Sequence, residues 1–308
     1  MKRKTILLGG ALAAVGTGGW VAWKRRAPWQ APLAEGIIRE IGGARLHYID
    51  VGVGTPVILI HGFAGSTFSW RRVIPDLARG HRVVALDLPG FGFSDRDPGL
   101  DYSQAAQAGR VLALMDALGL TRATVIGHSM GGAVAERLAA EHPDRVDRLI
   151  LVAAVNAGIP PERGRAGKAA GPMFALMGLA QRSPRAMYAI GRRALPRMVH
   201  DPAFVTEDLV RGYIDPLLLP GTTAAVRRMT LAGQGDPALD LGRIAAPTLV
   251  VSGASDGAIT PADGEKLAAG IPGGRHVVIP EAGHLLAEER PEAFLEEVLA
   301  FLYETAPA

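Results

Sequence analysis

The 308-residue sequence contains no cysteine, so disulfides play no part in holding it together. It shows no internal repeat and no low-complexity tract, which excludes solenoid and array architectures. No histidine-rich spacing of the kind that holds zinc occurs either, and nothing in the chain calls for a metal or another cofactor. A real excess of positive charge is also missing. Lys and Arg number 33 against 30 Asp and Glu, and six of the basic residues cluster at Lys2 to Lys4 and Lys24 to Arg26; the 27 that remain leave the rest of the chain slightly acidic. Nucleic-acid binding has no support in such a balance.

What the chain does contain is the pentapeptide Gly127-His128-Ser129-Met130-Gly131, between a short apolar run, Ala123 to Ile126, and a helix-like stretch, Gly132 to Glu141. In that context Gly-x-Ser-x-Gly reads as a nucleophile elbow, a sharp strand-to-helix turn that lifts a serine hydroxyl clear of the backbone. A serine needs a base to take its proton. Of the eight histidines, His284 stands in a glycine-containing loop, Glu281-Ala-Gly-His284, just after the apolar run His276 to Ile279 and before the final helix. His61 and His128 belong to glycine-rich loops and read as loop-shaping residues. The base needs an orienting carboxylate, and Asp256 follows the buried run Pro247 to Gly253, where a strand's C-terminal end shares a rim with the His284 loop. Asp236, Asp240 and Asp263 follow no core strand, and Asn156 leaves no acid at the end of the run before it. Acyl transfer further needs donors for an oxyanion, and the backbone N–H groups of Phe63, after the run Val57 to His61, and of Met130 are the candidates.

Taken in order, His61-Gly62-Phe63, Asp87 to Ser94, Gly127 to Gly132, Gly253 to Asp256 and Gly283-His284 resemble the α/β-hydrolase superfamily, its esterase and lipase-like branch in particular, over about residues 36 to 304. The chain order Ser129, Asp256, His284 is the order of that family. The resemblance implies an α/β fold with a mostly parallel, doubly wound sheet and a helical cap inserted after the sixth strand. The expected activity is a serine hydrolase cleaving carboxylic esters through an acyl-enzyme, with a small-molecule or lipid-like ester as substrate. Carbon–carbon bond hydrolysis, perhydrolysis and acyl transfer on the same fold are the alternatives. A serine at the elbow sets aside the dehalogenases and epoxide hydrolases that use an aspartate there. A non-catalytic protein binding a hydrophobic ligand is the alternative of another class, and the intact Ser129, Asp256, His284 set counts against it. Asp87 reads as a brace for the glycine loop through Gly90 and Gly92 rather than as a catalytic group.

The coarse pattern agrees. Strand-like runs at 44–51, 56–60, 82–86, 123–126, 149–153, 248–251 and 276–279 alternate with helical candidates at 70–78, 103–118, 132–140, 261–269 and 291–303. Between Asn156 and Gly242 the alternation stops, which predicts a core of residues 31–155 and 243–308 and a cap of residues 156–242. Prolines at 160, 161, 172, 184, 196, 202, 216 and 220 divide the cap into short pieces, and residues 156–232 carry 11 Arg and Lys against five Asp and Glu.

Charge is absent once more from Thr5 to Trp23, between Lys2-Arg3-Lys4 and Lys24-Arg25-Arg26. Nineteen helical residues rise about 28 Å, close to the roughly 30 Å of a bilayer's hydrocarbon core. Residues 1–30 are therefore expected to be an N-terminal membrane anchor and linker, with Trp20 and Trp23 near one interface. The rival is a cleaved signal peptide, against which stand the basic cluster directly after the run and the lack of a clear small-x-small site. Three basic residues flank each end. A short tail kept inside would place the catalytic portion on the outer, periplasmic side of a bacterial-type inner membrane; the alternative is export after signal cleavage.

Overall fold

A computed structural model describes residues 36–159, 178–233 and 236–305. Among the described residues eight strands occur, the first three in succession and the rest separated by helices: β1 (Ile37–Ile41), β2 (Ala44–Val51), β3 (Thr55–Ile60), α1 (Ile74–Leu77), β4 (His81–Leu86), α2 (Gln104–Ala117), β5 (Ala123–His128), α3 (Met130–Glu141) and β6 (Val146–Val152). Before the next strand the described residues include the helices α4 (Pro184–Ala194), α5 (Glu207–Leu217) and α6 (Thr222–Gly233). Then follow β7 (Thr248–Gly253), α7 (Pro261–Ala269), β8 (Arg275–Ile279), α8 (Leu286–Glu289) and α9 (Pro291–Glu304). The strands form one sheet in the order β1-β2-β4-β3-β5-β6-β7-β8. β1–β2 and β2–β4 pair antiparallel, and every pairing from β4 to β8 is parallel. This is the mostly parallel, doubly wound sheet expected from the sequence.

The central strands β3 to β7 are apolar on both faces because both faces are covered. Ile58, Ile60, Val84 and Leu86 point into one core with Val111, Leu114 and Met115 of α2 and Val134 and Leu138 of α3. Their alternating neighbours Val57, Leu59, Val83 and Ala85 point into another with Trp70 and with Phe294, Val298 and Phe301 of α9. The helices between β6 and β7 bury a smaller cluster of their own, Met187, Leu209, Val210, Tyr213 and Ile214, onto Leu285 beside the His284 loop.

Two differences from the sequence expectation have physical causes. β1 is an additional strand; all its residues but Ile41 are exposed, so it lacks the apolar run that marks the others. Its signal was the pair Gly42-Gly43, whose φ values of 58° and 73° make the tight turn of a hairpin with β2. The helix expected at 70–78 is instead a single 3₁₀ turn, Thr67–Trp70, followed by the four-residue α1, with Pro75 in its first turn.

The expectation of a transmembrane helix is corrected. Thr5 to Trp23 lies outside the described residues, and among those described no helix is long and apolar enough to cross a membrane. The longest, α2 and α9, have 14 residues and rise about 21 Å, well short of the roughly 30 Å required, and their apolar faces are buried against the sheet. The membrane anchor, the membrane as a partner and the periplasmic or exported placement built on them are accordingly withdrawn.

One core residue makes stability depend on pH. Glu136, in the middle of α3, is fully buried; one carboxylate oxygen accepts the Ala157 N–H at 2.8 Å, and Oε1 has no partner. Burial pushes its carboxyl from the usual 4.5 up to about 8, the Ala157 bond opposing only part of the rise. The folded state therefore keeps a proton that the unfolded chain has lost between about pH 4.5 and 8, and stability falls as the pH rises through that window. Glu136→Gln is expected to match the wild type near pH 4.5 and to exceed it at pH 8 by on the order of 2–4 kcal/mol, read from urea unfolding at both pH values.

Candidate active site

Ser129 is the single residue between β5 and α3, and its backbone, at φ 52° and ψ −118°, lies where a non-glycine side chain is strained. Neighbouring hydrogen bonds hold it there. Its N–H donates to Val152 O at 2.9 Å, while its carbonyl accepts from Gly132 N at 2.9 Å and Val155 N at 3.0 Å. The turn also needs three close approaches that only glycine allows. A Cβ on Gly131 would run into the carbonyl oxygens of His61 and Ile60, one on Gly127 into Gly131 O, and one on Gly132 into the side chain of Ala154. Ser129 consequently stands at the N-terminal end of the 12-residue α3, where negative charge is favoured.

His284 and Asp256 meet at the same end of the sheet. His284 Nδ1 donates to Asp256 Oδ2 at 2.7 Å, both side chains being buried. The other carboxylate oxygen, Oδ1, accepts Ala258 N at 2.8 Å and Ile259 N at 3.0 Å, so both oxygens are engaged and the carboxylate is fixed. The two loops are joined along their length: Ala254 N donates to Ile279 O at 2.9 Å and Ser255 N to Ala282 O at 2.8 Å. A Cβ on Gly253 would strike Gly283 O.

His128, next to Ser129 in sequence, links the elbow to the base. Its ring centroid is 4.8 Å from that of His284, and its Nε2 donates to the His284 carbonyl at 2.9 Å. Burial, reinforced by His284, lowers its pKa to about 3, so His128 is a neutral donor at working pH. His61 is neutral too: burial lowers its pKa, its Nδ1 donates to Gly62 O at 2.7 Å and its Nε2 accepts the Leu88 N–H at 2.9 Å. It ties the loop after β3 to the loop after β4.

That first loop runs alongside the serine. A Cβ on Gly62 would lie 3.0 Å from Ser129 Cβ, which brings the backbone entering Phe63 next to the nucleophile position. The Phe63 side chain is half exposed and packs edge-on against Phe91 at 5.5 Å. Met130 is the first residue of α3, where backbone N–H groups have no intrahelical acceptor. Asp87 braces the second loop. Its carboxylate accepts Thr67 N at 2.6 Å, Phe93 N at 2.8 Å and His47 Nδ1 at 2.7 Å. Burial would raise its pKa, yet the hydrogen bond from His47, together with the other donors and histidine around it, outweighs this and holds it below the usual range.

The other aspartates serve elsewhere: Asp236 accepts Gln104 N at 2.9 Å, Asp240 caps a 3₁₀ turn, and Asp263 forms a capping box with Thr260. One contact carried no sequence signal. The carbonyl of Met198, between α4 and α5, accepts His284 N at 2.7 Å and Leu285 N at 3.2 Å. Among the described residues no group of three or more His, Cys, Asp or Glu is arranged to hold a metal. An elbow serine, a histidine fixed to a buried carboxylate and adjacent backbone donors are the groups that acyl transfer requires.

Residues 55–174 match the family model described as the alpha/beta hydrolase fold. The chain belongs to that family and is a hydrolase. It is 37% identical over 280 residues to the dihydrolipoyllysine-residue acetyltransferase component of the acetoin cleaving system of Pseudomonas putida, covering 85% of this chain and 68% of that one. It is 30% identical over 273 residues to 2-hydroxy-6-oxo-6-phenylhexa-2,4-dienoate hydrolase of Comamonas testosteroni, covering 86% and 93%. Among solved structures, a thermophilic esterase from Thermogutta terrifontis is similar with a TM-score of 0.74 and 28% identity, over 88% of this chain and 99% of that one.

The packing at the elbow is directly testable. Gly131→Ala is expected to destabilise the fold by about 1–3 kcal/mol, because its methyl group meets backbone carbonyls that cannot rotate away. A lowered urea midpoint at unchanged m value is the expected reading, and an unchanged midpoint would contradict the geometry.

Proposed function

We propose that this hydrolase cleaves the bond between an acyl carbonyl and its leaving group through a serine acyl-enzyme, with a carbon–carbon bond as the scissile bond. The observation that carries the reading is the buried 2.7 Å hydrogen bond between His284 and Asp256 beside the strained turn at Ser129. Ser129 Oγ attacks the substrate carbonyl and gives its proton to His284. Asp256 holds the imidazole and stabilises its charged form, and the N–H groups of Phe63 and Met130 receive the oxyanion. Collapse expels the leaving group, which takes the proton from His284; water then repeats the cycle and releases the acid. The inserted residues 156–242 act as a cap over a core of residues 31–155 and 243–308, and no cofactor enters the cycle.

The choice of a carbon–carbon bond rests on relatives. The Comamonas testosteroni protein, matched over nearly its whole length, is named for a 6-oxo-dienoate, a ketone with no ester in it. Hydrolysis of such a ketone breaks the bond beside its carbonyl once the 2-hydroxy-dienoate has ketonised: the enol proton moves to C5, and C5 then departs as a carbanion delocalised through the remaining double bond onto the new 2-oxo group and takes its proton from His284. The same residues would serve a carboxylic ester, with an alcohol leaving instead; the likeness to the Thermogutta terrifontis esterase supports that second reading.

A substrate panel decides between them. Wild type, Ser129→Ala and Asp256→Asn are assayed on 2-hydroxy-6-oxo-6-phenylhexa-2,4-dienoate and on nitrophenyl esters of increasing chain length. Expected is a higher kcat/KM for the dienoate, lost by roughly 10³-fold or more in Ser129→Ala and by less in Asp256→Asn. Turnover of esters alone would transfer the assignment to ester hydrolysis. Equal rates in wild type and Ser129→Ala would remove the serine mechanism for both.

A further inference from the structure

We infer that Glu289 is a positioning residue for the catalytic histidine, and that it acts by fastening the inserted segment between α4 and α5 to the loop that carries His284. The inference rests on the serine-hydrolase reading for its catalytic consequence, though not for its geometry. Glu289 ends the short helix α8, one turn beyond His284, and its N–H donates to Leu285 O at 2.9 Å. Its carboxylate bridges two separate pieces of chain. Oε1 accepts the backbone N–H groups of His200 at 2.6 Å and Asp201 at 2.9 Å, both in the inserted segment. Oε2 accepts the N–H of Gly283 at 2.8 Å, the residue immediately before His284. The neighbouring Arg290 is engaged with Glu281, through Nη2 to the carboxylate at 2.6 Å and Nε to the carbonyl at 2.9 Å.

The same few residues of the inserted segment touch the site at two further points. Met198 O takes the N–H groups of His284 and Leu285, and His200 Nδ1 lies 2.7 Å from the hydroxyl of Ser255, the residue before Asp256. Gly283 is pressed against this strip, since a Cβ there would lie 2.6 Å from Met198 O and from Val199 Cα. The backbone around the base is thus held from the side of the insertion, with Glu289 as the clamp between them. An ionised carboxylate is the side chain this place requires. Both of its oxygens must accept, and a glutamine of the same shape has an acceptor at only one end. Its NH₂ group would face either Gly283 N–H or the two N–H groups of His200 and Asp201, donor against donor.

The consequence falls on turnover rather than on binding, because what loosens is the imidazole that moves the proton. Glu289→Gln is expected to lower kcat by about 10- to 100-fold with KM within about threefold of wild type. Inactivation of Ser129 by a fluorophosphonate should slow in parallel. Glu289→Asp, which keeps two acceptors on a shorter stem, should recover part of the loss. Amide hydrogen exchange on the wild-type protein tests the clamp without any variant: the N–H groups of His200, Asp201 and Gly283 should be protected to a similar degree and open together. Wild-type kcat in Glu289→Gln, or a fall in thermal stability with kcat unchanged, overturns the inference. So does free exchange at His200 and Asp201 beside a protected Gly283, which decides the matter if Glu289→Gln does not fold. Failure of the serine mechanism itself would show separately, as retained activity in Ser129→Ala with the exchange pattern intact.

Discussion

The structure depends on one strained residue. Ser129 holds a backbone conformation costing on the order of 1–3 kcal/mol for a side chain with a Cβ. It persists because the sheet and α3 leave no room for another. Glycines at 127, 131 and 132 let the start of α3 sit against the ends of β3 and β6, and hydrogen bonds to Val152 and Val155 close the turn from the far side. The central position of β5 in the sheet, between β3 and β6, makes this possible: both neighbours end on the same rim, so the elbow is gripped from either side.

Around that turn, the loops are fastened to one another by hydrogen bonds and close backbone contacts. The loops after β7 and β8 are joined by two backbone bonds and by the close contact of Gly253 with Gly283, so Asp256 and His284 approach as parts of one unit. The loops after β3 and β4 are joined by His61 and by the carboxylate of Asp87, which gathers Thr67, Phe93 and His47. Three ionisable groups in the loops beside the serine have their charge state set by surroundings. His61 is buried and neutral, His128 is half-buried and neutral, and Asp87 is ionised by its partners. A neutral His128 can donate to the His284 carbonyl without competing for the proton that the proposed mechanism moves.

The parallel core was legible in the sequence because its strands β3 to β7 are buried on both faces and so read as unbroken apolar runs between helix-like stretches. The nearness of the elbow pentapeptide, Asp256 and His284 at one end of the sheet was legible because each stands in the turn or loop after a strand run. β1 was not, being an exposed edge strand with a single buried residue, Ile41. The hold of the insertion on His284 was not legible either. Its acceptor is the backbone carbonyl of Met198, and a carbonyl is the same for every residue type; only the folded chain brings position 198 next to position 284. The apolar run at Thr5 to Trp23 shows the converse. It is a strong pattern in the sequence, yet it lies outside the described residues, and no described helix has the character of a membrane span.

The most direct measurement of the central claim is intact-protein mass spectrometry followed by peptide mapping after brief reaction with a fluorophosphonate and, separately, with a slowly hydrolysed acyl substrate. The account predicts one covalent adduct per chain in each case, located on the peptide containing Ser129. Absence of any adduct, or an adduct on another residue, would contradict it.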